Sequence, residues 1–403
     1  MSVQVKGGGG SSNYVKLEFN EYGIDRSEKP VRVTDSISPL SLSRYTISGA
    51  RVGKCALYIG GQQESNKGVG GLDCYDENLV HSTSGTSPGS VFEMGAASTG
   101  NKKHAVYPGG RNSTGSIVSS VIAYDETLVR SGVSGLSYAW TEMPGGTVGN
   151  YAVFVGGLNG YNGIDRTSTG FTYNNDLSRG SLTSLETAVT DVVCQYFNNR
   201  LTFSGGSAGY GYSNHVDTYN ASLTKSSVTG LSESKIVAMI AANDSYMLVA
   251  AGYGSNISYN TVDAYDLNFT KSTATPCGTV QRGAGLSFKD YALLANNNYS
   301  YTYDKNLIQT TAEKPTHDYD QESYVKLDNY GILAGNNYTK STGVNAYKLT
   351  EVYPMWDISL TSGSKCKINA ETETLINEFG VYSFQMPMTG YIKFKKETFG
   401  DGN

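Results

Sequence analysis

Charge is scarce in this 403-residue chain, where Asp, Glu, Lys and Arg make up 17% of the residues and the formal net charge is −5. Binding to duplex nucleic acid needs clustered Lys and Arg, and because no basic run occurs we expect no nucleic-acid partner. No apolar run reaches the roughly eighteen residues of a membrane-spanning helix, so none is predicted. The first residues, Met1-Ser-Val-Gln-Val-Lys6, lack the apolar core of a secretory signal peptide, so we expect a protein made in the cytoplasm without a signal peptide.

Metal-binding and nucleophilic side chains are also few. The five cysteines form no C-x-x-C pair, and the four histidines are far apart: Cys55, Cys74, Cys194, Cys277, Cys366, His81, His104, His215 and His317. This spacing favours buried free thiols and predicts no metal site and no cofactor. No G-x-S-x-G, phosphate-binding or dinucleotide-binding motif occurs, so no catalytic residue is assigned. Paired carboxylates that assemble from distant loops, as in glycoside hydrolases, stay open as an alternative.

What the chain does contain is 48 glycines, 31 tyrosines and an internal repeat. Seven short apolar segments end in small residues at positions 61, 110, 157, 206, 252, 296 and 335, so that successive copies are 49, 47, 49, 46, 44 and 39 residues apart. The clearest copies are Ala56-Leu-Tyr-Ile-Gly-Gly61, Ala152-Val-Phe-Val-Gly-Gly157 and Leu201-Thr-Phe-Ser-Gly-Gly206. Self-similarity at such a period is typical of a repeat architecture.

A tyrosine follows each copy, and a large apolar residue stands four positions after the first six of them. The tyrosines are Tyr75, Tyr124, Tyr173, Tyr219, Tyr265, Tyr303 and Tyr347, and the apolar residues are Leu79, Leu128, Leu177, Leu223, Phe269 and Leu307. Asp and Asn between them favour turns through bonds from side chain to backbone, which predicts a tight hairpin. We prefer this interpretation of the Asp residues to calcium ligation because the calcium-loop pattern is absent.

Each unit is interpreted as four short strands, with no helical period in any long segment. Four strands per unit and seven units predict an all-β, seven-bladed β-propeller. The paired glycines suit crowded strand ends, where the absence of Cβ admits positive φ and close backbone approach. An orphan strand at residues 31–37 is predicted to complete the last blade beside 343–348, which would remove an open edge.

These repeats resemble kelch repeats, and more closely the kelch-like repeats of bacteria and bacteriophages. The resemblance is carried by the Gly-Gly strand ends and by strands such as Val262-Asp-Ala-Tyr-Asp266, and it covers residues 31–353. Kelch repeats usually carry a tryptophan after the tyrosine, whereas Leu or Phe stands here at a shorter spacing. This departure argues against the adaptor roles of eukaryotic kelch proteins.

The two ends of the chain depart from the repeat. Residues 1–30 contain Gly7-Gly-Gly-Gly-Ser-Ser12 and are interpreted as a short N-terminal arm or linker. Residues 354–403 alternate apolar and polar residues in four segments, which predicts a small C-terminal β module.

The loops between the second and third strands of each unit carry the candidate binding residues. Tyrosines with Gly, Asn and Ser are typical of adaptable binding loops, and aromatic faces suit sugar rings. The candidate ligand-binding residues are Tyr161, Tyr210, Tyr212, Tyr253, Tyr259, Tyr299 and Tyr338. The alternative is that these tyrosines only cover the edges of the sheets.

The resemblance and the composition favour a non-enzymatic structural and binding component of a bacteriophage virion, in a tail, baseplate or head fibre. Its expected partners are other virion proteins, reached through the termini in a symmetric or multi-copy assembly, and a polysaccharide of the host surface. Propellers host many unrelated activities, so a glycan-active hydrolase or lyase on the same scaffold and a cytoplasmic kelch-type adaptor stay open as alternatives.

Overall fold

The computed structural model describes most of the chain and divides it into two compact units, residues 30–349 and residues 1–29 together with 350–403. The residues described are 2–6, 14–18, 28–33, 37–65, 67–159, 165–209, 211–279, 282–296, 298–317, 324–335, 340–351, 355–359, 365–369, 374–377, 380–385 and 393–396. All regular structure in these residues is β, which confirms that the chain is all-β. Within them, no helix is long and apolar enough to cross a membrane.

Strands before and in the first three repeats are short. The N-terminal strands are β1 (Ser2–Lys6), β2 (Tyr14–Glu18) and β3 (Glu28–Arg32). The first repeat has β4 (Ser48–Val52), β5 (Cys55–Ile59), β6 (Gln62–Glu64), β7 (Lys67–Gly68), β8 (Leu72–Tyr75) and β9 (His81–Ser82). The second has β10 (Val91–Phe92), β11 (Ala97–Ser98), β12 (His104–Pro108), β13 (Arg111–Asn112), β14 (Val121–Asp125) and β15 (Arg130–Gly132). The third has β16 (Trp140–Thr141), β17 (Gly145–Val148), β18 (Tyr151–Val155), β19 (Leu158–Asn159), β20 (Asp165–Arg166), β21 (Gly170–Tyr173) and β22 (Arg179–Leu182).

The remaining repeats follow the same plan. The fourth has β23 (Val189–Thr190), β24 (Val193–Phe197), β25 (Arg200–Ser204), β26 (Ser207–Ala208), β27 (Gly211–Tyr212), β28 (Val216–Asn220) and β29 (Lys225–Val228). The fifth has β30 (Met239–Ala242), β31 (Met247–Ala250), β32 (Tyr253–Gly254), β33 (Ile257–Ser258), β34 (Val262–Tyr265) and β35 (Lys271–Thr273). The sixth has β36 (Ala284–Ser287), β37 (Tyr291–Ala295), β38 (Ser300–Asp304) and β39 (Gln309–Thr311), and the seventh has β40 (Tyr324–Lys326), β41 (Gly331–Ala334) and β42 (Val344–Glu351).

Each repeat forms a four-stranded antiparallel sheet. The strand orders are β4-β5-β8-β9, β11-β12-β14-β15, β17-β18-β21-β22, β24-β25-β28-β29, β30-β31-β34-β35, β36-β37-β38-β39 and β40-β41-β42-β3. The last sheet takes its fourth strand from the N-terminal stretch, three residues earlier than the predicted start at position 31. The backbone N–H of Val33 continues this pairing by donating to the carbonyl of Ala346 at 2.8 Å.

Hydrophobic clusters lie between consecutive sheets. One cluster, for example, joins Leu57 of the first sheet to Tyr107 of the second, and another joins Tyr58 of the first sheet to Ile332 of the seventh. The first strands of the seven sheets, β4, β11, β17, β24, β30, β36 and β40, all line one cavity of about 1050 Å³. Many small antiparallel sheets that share cores in this way are consistent with the β-propeller class.

Seven buried tyrosines attach each sheet to the segment that precedes it. Each hydroxyl donates to a backbone carbonyl at 2.7–3.0 Å, in the pairs Tyr75–Ser38, Tyr124–Thr86, Tyr173–Ser134, Tyr219–Thr183, Tyr265–Thr229, Tyr303–Thr275 and Tyr347–Glu313. Burial raises the pKa of Tyr124 and Tyr173 to about 12, so these hydroxyls keep the proton that they donate. The tyrosine that marks each repeat in the sequence is therefore a structural donor.

The hairpin after each of the first six tyrosines has a left-handed residue at its apolar position. Leu223, for example, has φ of 60° and Phe269 has φ of 58°, where a glycine or asparagine is usual. A type I turn followed by a left-handed residue is a common three-residue hairpin connection. Both side chains pack against hydrophobic clusters, which offsets the backbone cost.

The first polar residue of each hairpin holds the turn, and we expect Asp266→Ala to destabilise the protein by about 1 kcal/mol. The Asp266 Oδ1 accepts the backbone N–H groups of Asn268 and Thr270, each at 2.8 Å, and alanine leaves both without that acceptor. Thermal unfolding of the purified variant measures the loss. Asp266→Asn is the matched control, because Asn220 accepts the equivalent bonds in the fourth repeat; an equal loss from both variants would contradict this explanation.

The cysteines differ from the prediction of free thiols. Cys55 of β5 and Cys74 of β8 form a disulfide, with their Cα atoms 5.7 Å apart, while Cys277 is a buried free thiol. The prediction was wrong for this pair because wide sequence spacing does not show whether two residues on neighbouring antiparallel strands are close together in space.

The C-terminal residues form a five-stranded antiparallel sheet. Its strands pair in chain order and are β43 (Met355–Ser359), β44 (Lys365–Asn369), β45 (Thr374–Asn377), β46 (Gly380–Gln385) and β47 (Lys393–Lys396). The sequence indicated four strands and missed β45. At the other end of the chain, β1 and β2 pair antiparallel on either side of the glycine stretch that was interpreted as a linker.

Candidate functional site

Two of the candidate tyrosines meet between the fourth and fifth repeats. The rings of Tyr212 and Tyr253 lie edge to face, with centroids 6.2 Å apart and planes at 81°. Both side chains are half-buried, so each ring keeps part of its surface open to solvent. Edge-to-face aromatic pairs at this distance stabilise each other. The two rings therefore hold each other in place at the surface.

The hairpin β32–β33 presents the second half of this surface. Ser255 and Asn256 both have positive φ, as a two-residue type I′ turn requires. The hydroxyl of Tyr253 donates to the side-chain oxygen of Asn256 at 3.0 Å. Next to the turn, Ile257 is 57% exposed. The local sequence thus builds a rigid turn that carries an aromatic ring, an amide and an apolar side chain.

Tyr259 joins the same group. A Cβ atom added at Gly254 would stand 3.1 Å from its ring, so the ring lies directly on the glycine backbone. The backbone N–H of Tyr259 donates to the carbonyl of Gly252 at 2.8 Å and closes the loop. We call Tyr212, Tyr253 and Tyr259 together the tyrosine surface.

Among the described candidates, Tyr299 is not part of it. Tyr299 is 42% exposed, stacks on Tyr301 of its own sheet with centroids 6.2 Å apart, and covers the backbone of Gly278. It therefore fits the alternative interpretation, in which a tyrosine covers the edge of a sheet. Tyr161, Tyr210 and Tyr338 lie outside the described residues.

Three acidic residues occupy equivalent places in the segments that enter β11, β17 and β24. Glu93, Glu142 and Asp191 all have positive φ, between 52° and 55°. Burial, helped by the negative charges of Asp191 and Glu93, raises the pKa of Glu142 to about 7, although Arg111 and Arg166 act in the opposite direction. Sequence reasoning missed this group although its members are 49 residues apart, because a repeat spacing does not show which acidic side chains the fold brings close together.

The raised pKa of Glu142 predicts that stability falls as pH rises from about 4.5 to about 7. The folded chain holds a proton there that the unfolded chain has lost, so the favourable contribution is complete at low pH and lost above pH 7. We expect Glu142→Gln to be more stable than wild type by ~2 kcal/mol at about pH 8 and equal to it at about pH 4.

Thermal melts of wild type and variant across this pH range measure the difference. Glu126→Gln is the matched control, because Glu126 is exposed. A difference that does not change with pH would contradict the account.

Two of the histidines each lie beside a single carboxylate. Nε2 of His81 lies 2.7 Å from Asp73, and Nδ1 of His215 lies 3.4 Å from Glu186. In the described part of the chain, no group of three or more His, Cys, Asp or Glu side chains is arranged to hold a metal ion.

Comparison with known proteins adds no assignment. No protein-family model matches the chain, and no curated protein matches it significantly.

Proposed function

We propose that this chain is a non-enzymatic structural and binding component of a bacteriophage particle, built as a closed seven-bladed propeller of the kelch type. The shared clusters between consecutive sheets, including the one between the seventh and the first, support the ring. So do the contacts of β40 with both β36 and β4. The pairing of β3 with β42 would then close the ring without an open edge.

The observation that carries the binding role is the contrast between two kinds of loop. The hairpins between third and fourth strands are minimal, whereas the connections between second and third strands in the fourth and fifth repeats carry extra strands and the tyrosine surface. Rings with open faces, next to amide and hydroxyl groups, suit stacking on the C–H faces of sugars. The proposed ligand is a polysaccharide of the host cell surface.

Single sites of this kind are weak. Exposed stacking with a few hydrogen bonds supports roughly millimolar affinity, or about −4 kcal/mol. Repetition in a multi-copy particle would raise the avidity by about 10²–10⁴, provided that the sites can engage together. Attachment to other particle proteins is proposed to run through the terminal residues 1–29 and 350–403.

Binding of multimerised protein to host cells tests the proposal. We expect wild type to bind and the variant with Tyr→Ala at Tyr210, Tyr212, Tyr253 and Tyr259 to lose at least about tenfold in apparent affinity, equivalent to 1.4 kcal/mol. Tyr138→Ala is the control, because Tyr138 is 68% exposed and lies between β15 and β16, outside the fourth and fifth repeats.

The outcomes separate the alternatives. Equal binding by the folded quadruple variant would exclude the tyrosine surface as the receptor site. No binding by wild type would leave a structural role alone. Release of oligosaccharides from the host polymer would favour the glycan-active enzyme.

A further inference from the structure

The cavity enclosed by the first strands contains an unusual lysine. Lys326, on β40, lines the cavity and is half-buried, and its Nζ lies 4.3 Å from the ring centroid of Phe288. Phe288 itself is only 4% exposed, so the ammonium rests on a buried aromatic face. Among the described residues, Lys326 takes part in no ion pair within 4 Å.

The neighbouring charges do not balance this ammonium. Arg51 on β4 holds both nearby carboxylates, since its guanidinium lies 2.6 Å from Asp328 and 3.2 Å from Glu77. Lys102 adds a second cation 4.0 Å from Asp328. Three cations therefore share two carboxylates, and Lys326 is the one that has no direct ion-pair partner among the described residues.

A desolvated ammonium in a cavity is a binding group for anions. Burial lowers the pKa of Lys326 to about 8, with a smaller contribution from Arg51, while Asp328 and Glu77 act in the opposite direction. An oxyanion beside Nζ would provide the negative charge that pairs with the ammonium and would accept a hydrogen bond from it. The cavity, at about 1050 Å³, has room for a ligand of sugar size.

We propose that this cavity binds a small oxyanion, the carboxylate of a sugar acid or a phosphate group, through a charge-assisted hydrogen bond from Lys326. The site is separate from the tyrosine surface, because none of those three tyrosines lines the cavity. It does not depend on the proposed function, and the quadruple tyrosine variant should keep it.

Titration calorimetry with glucuronate, glucose and inorganic phosphate tests the proposal. We expect saturable binding of glucuronate or phosphate at millimolar concentration and none of glucose, which lacks the acid group. Binding of glucuronate alone would assign a carboxylate ligand, and binding of phosphate alone would assign a phosphate ligand. Lys326→Met should weaken the binding at least about tenfold. Lys305→Met is the matched control, since it removes the same charge at an exposed hairpin.

The pH dependence of ligand affinity provides a second readout. It should not change with substitution of Lys326 if that residue has only a structural role. Because the ammonium is required, wild-type affinity should fall as pH rises above about 8. In Lys326→Arg the side chain stays positively charged at these pH values, so binding should be retained. The decrease in affinity between about pH 8 and about pH 9 should then be absent. Absence of binding by both acids to wild type would overturn the proposal, and so would equal binding by the folded Lys326→Met variant.

Discussion

Asp73→Ala is expected to destabilise the protein by about 3–5 kcal/mol, the largest effect that we predict for a single substitution. Asp73 and Arg44 form an ion pair in which neither side chain has any exposed surface. Arg44 depends on this partner, because its Nε and Nη1 have no hydrogen-bond partner among the described residues. Removing the carboxylate would leave a buried cation uncompensated.

The location of the pair predicts where the damage appears. Arg44 exchanges backbone hydrogen bonds with Ser341 of the seventh repeat, and Asp73 also accepts the backbone N–H of Ser41 at 2.7 Å. Hydrogen exchange should therefore increase first in residues 40–44 and 341–343, where the first and last repeats meet.

Two controls isolate the buried charge as the cause. Asp217→Ala removes the equivalent residue of the fourth repeat, whose partner Lys225 is 17% exposed and can turn to water, so a smaller loss is expected. Adding Arg44→Met to Asp73→Ala should recover part of the stability, since the unpaired charge is gone. A double variant that is less stable than Asp73→Ala alone would contradict the account.

Gly206→Val should destabilise the protein by more than ~2 kcal/mol. Gly206 has φ of +110°, which strongly disfavours a β-branched residue. A Cβ atom there would stand 2.7 Å from Cγ2 of Val192 and 2.8 Å from the carbonyl oxygen of Thr190. Gly157→Val should destabilise the protein to a similar extent, because an added Cβ atom would stand 2.6 Å from the carbonyl oxygen of Thr141.

Denaturant unfolding of these variants measures the loss. Gly209→Val is the matched control, because an added Cβ at Gly209 meets nothing within 4 Å. Equal midpoints for Gly206→Val and Gly209→Val would show that strand-end glycines are not crowded.

The sequence predicts the repeated elements well because each of them is local. The apolar segment, the tyrosine and the turn of one repeat lie within a short stretch, so a period of forty to fifty residues is visible without tertiary information. The turn geometry is less predictable: Leu223 and Phe269 take the left-handed position because their packing outweighs backbone preference, and packing is not visible locally.

Contacts between repeats explain most of what sequence reasoning missed. Arg44 with Asp73, Glu142 with its charged neighbours, and Lys326 on Phe288 each join residues far apart in the chain. The candidate tyrosines show the same limit, since composition could not separate the paired Tyr212 and Tyr253 from Tyr299. Loop composition indicates a binding surface, but only the fold decides which rings meet.

Quantitative mass spectrometry of purified particles tests the central claim most directly. Particles released by host cells that express this chain are banded by density, and its peptides are counted against those of the major capsid protein. The account predicts that the chain bands with the particles at a fixed copy ratio that survives high salt. Recovery of the chain only in the soluble fraction of the lysate, with none in the particle band, would contradict it.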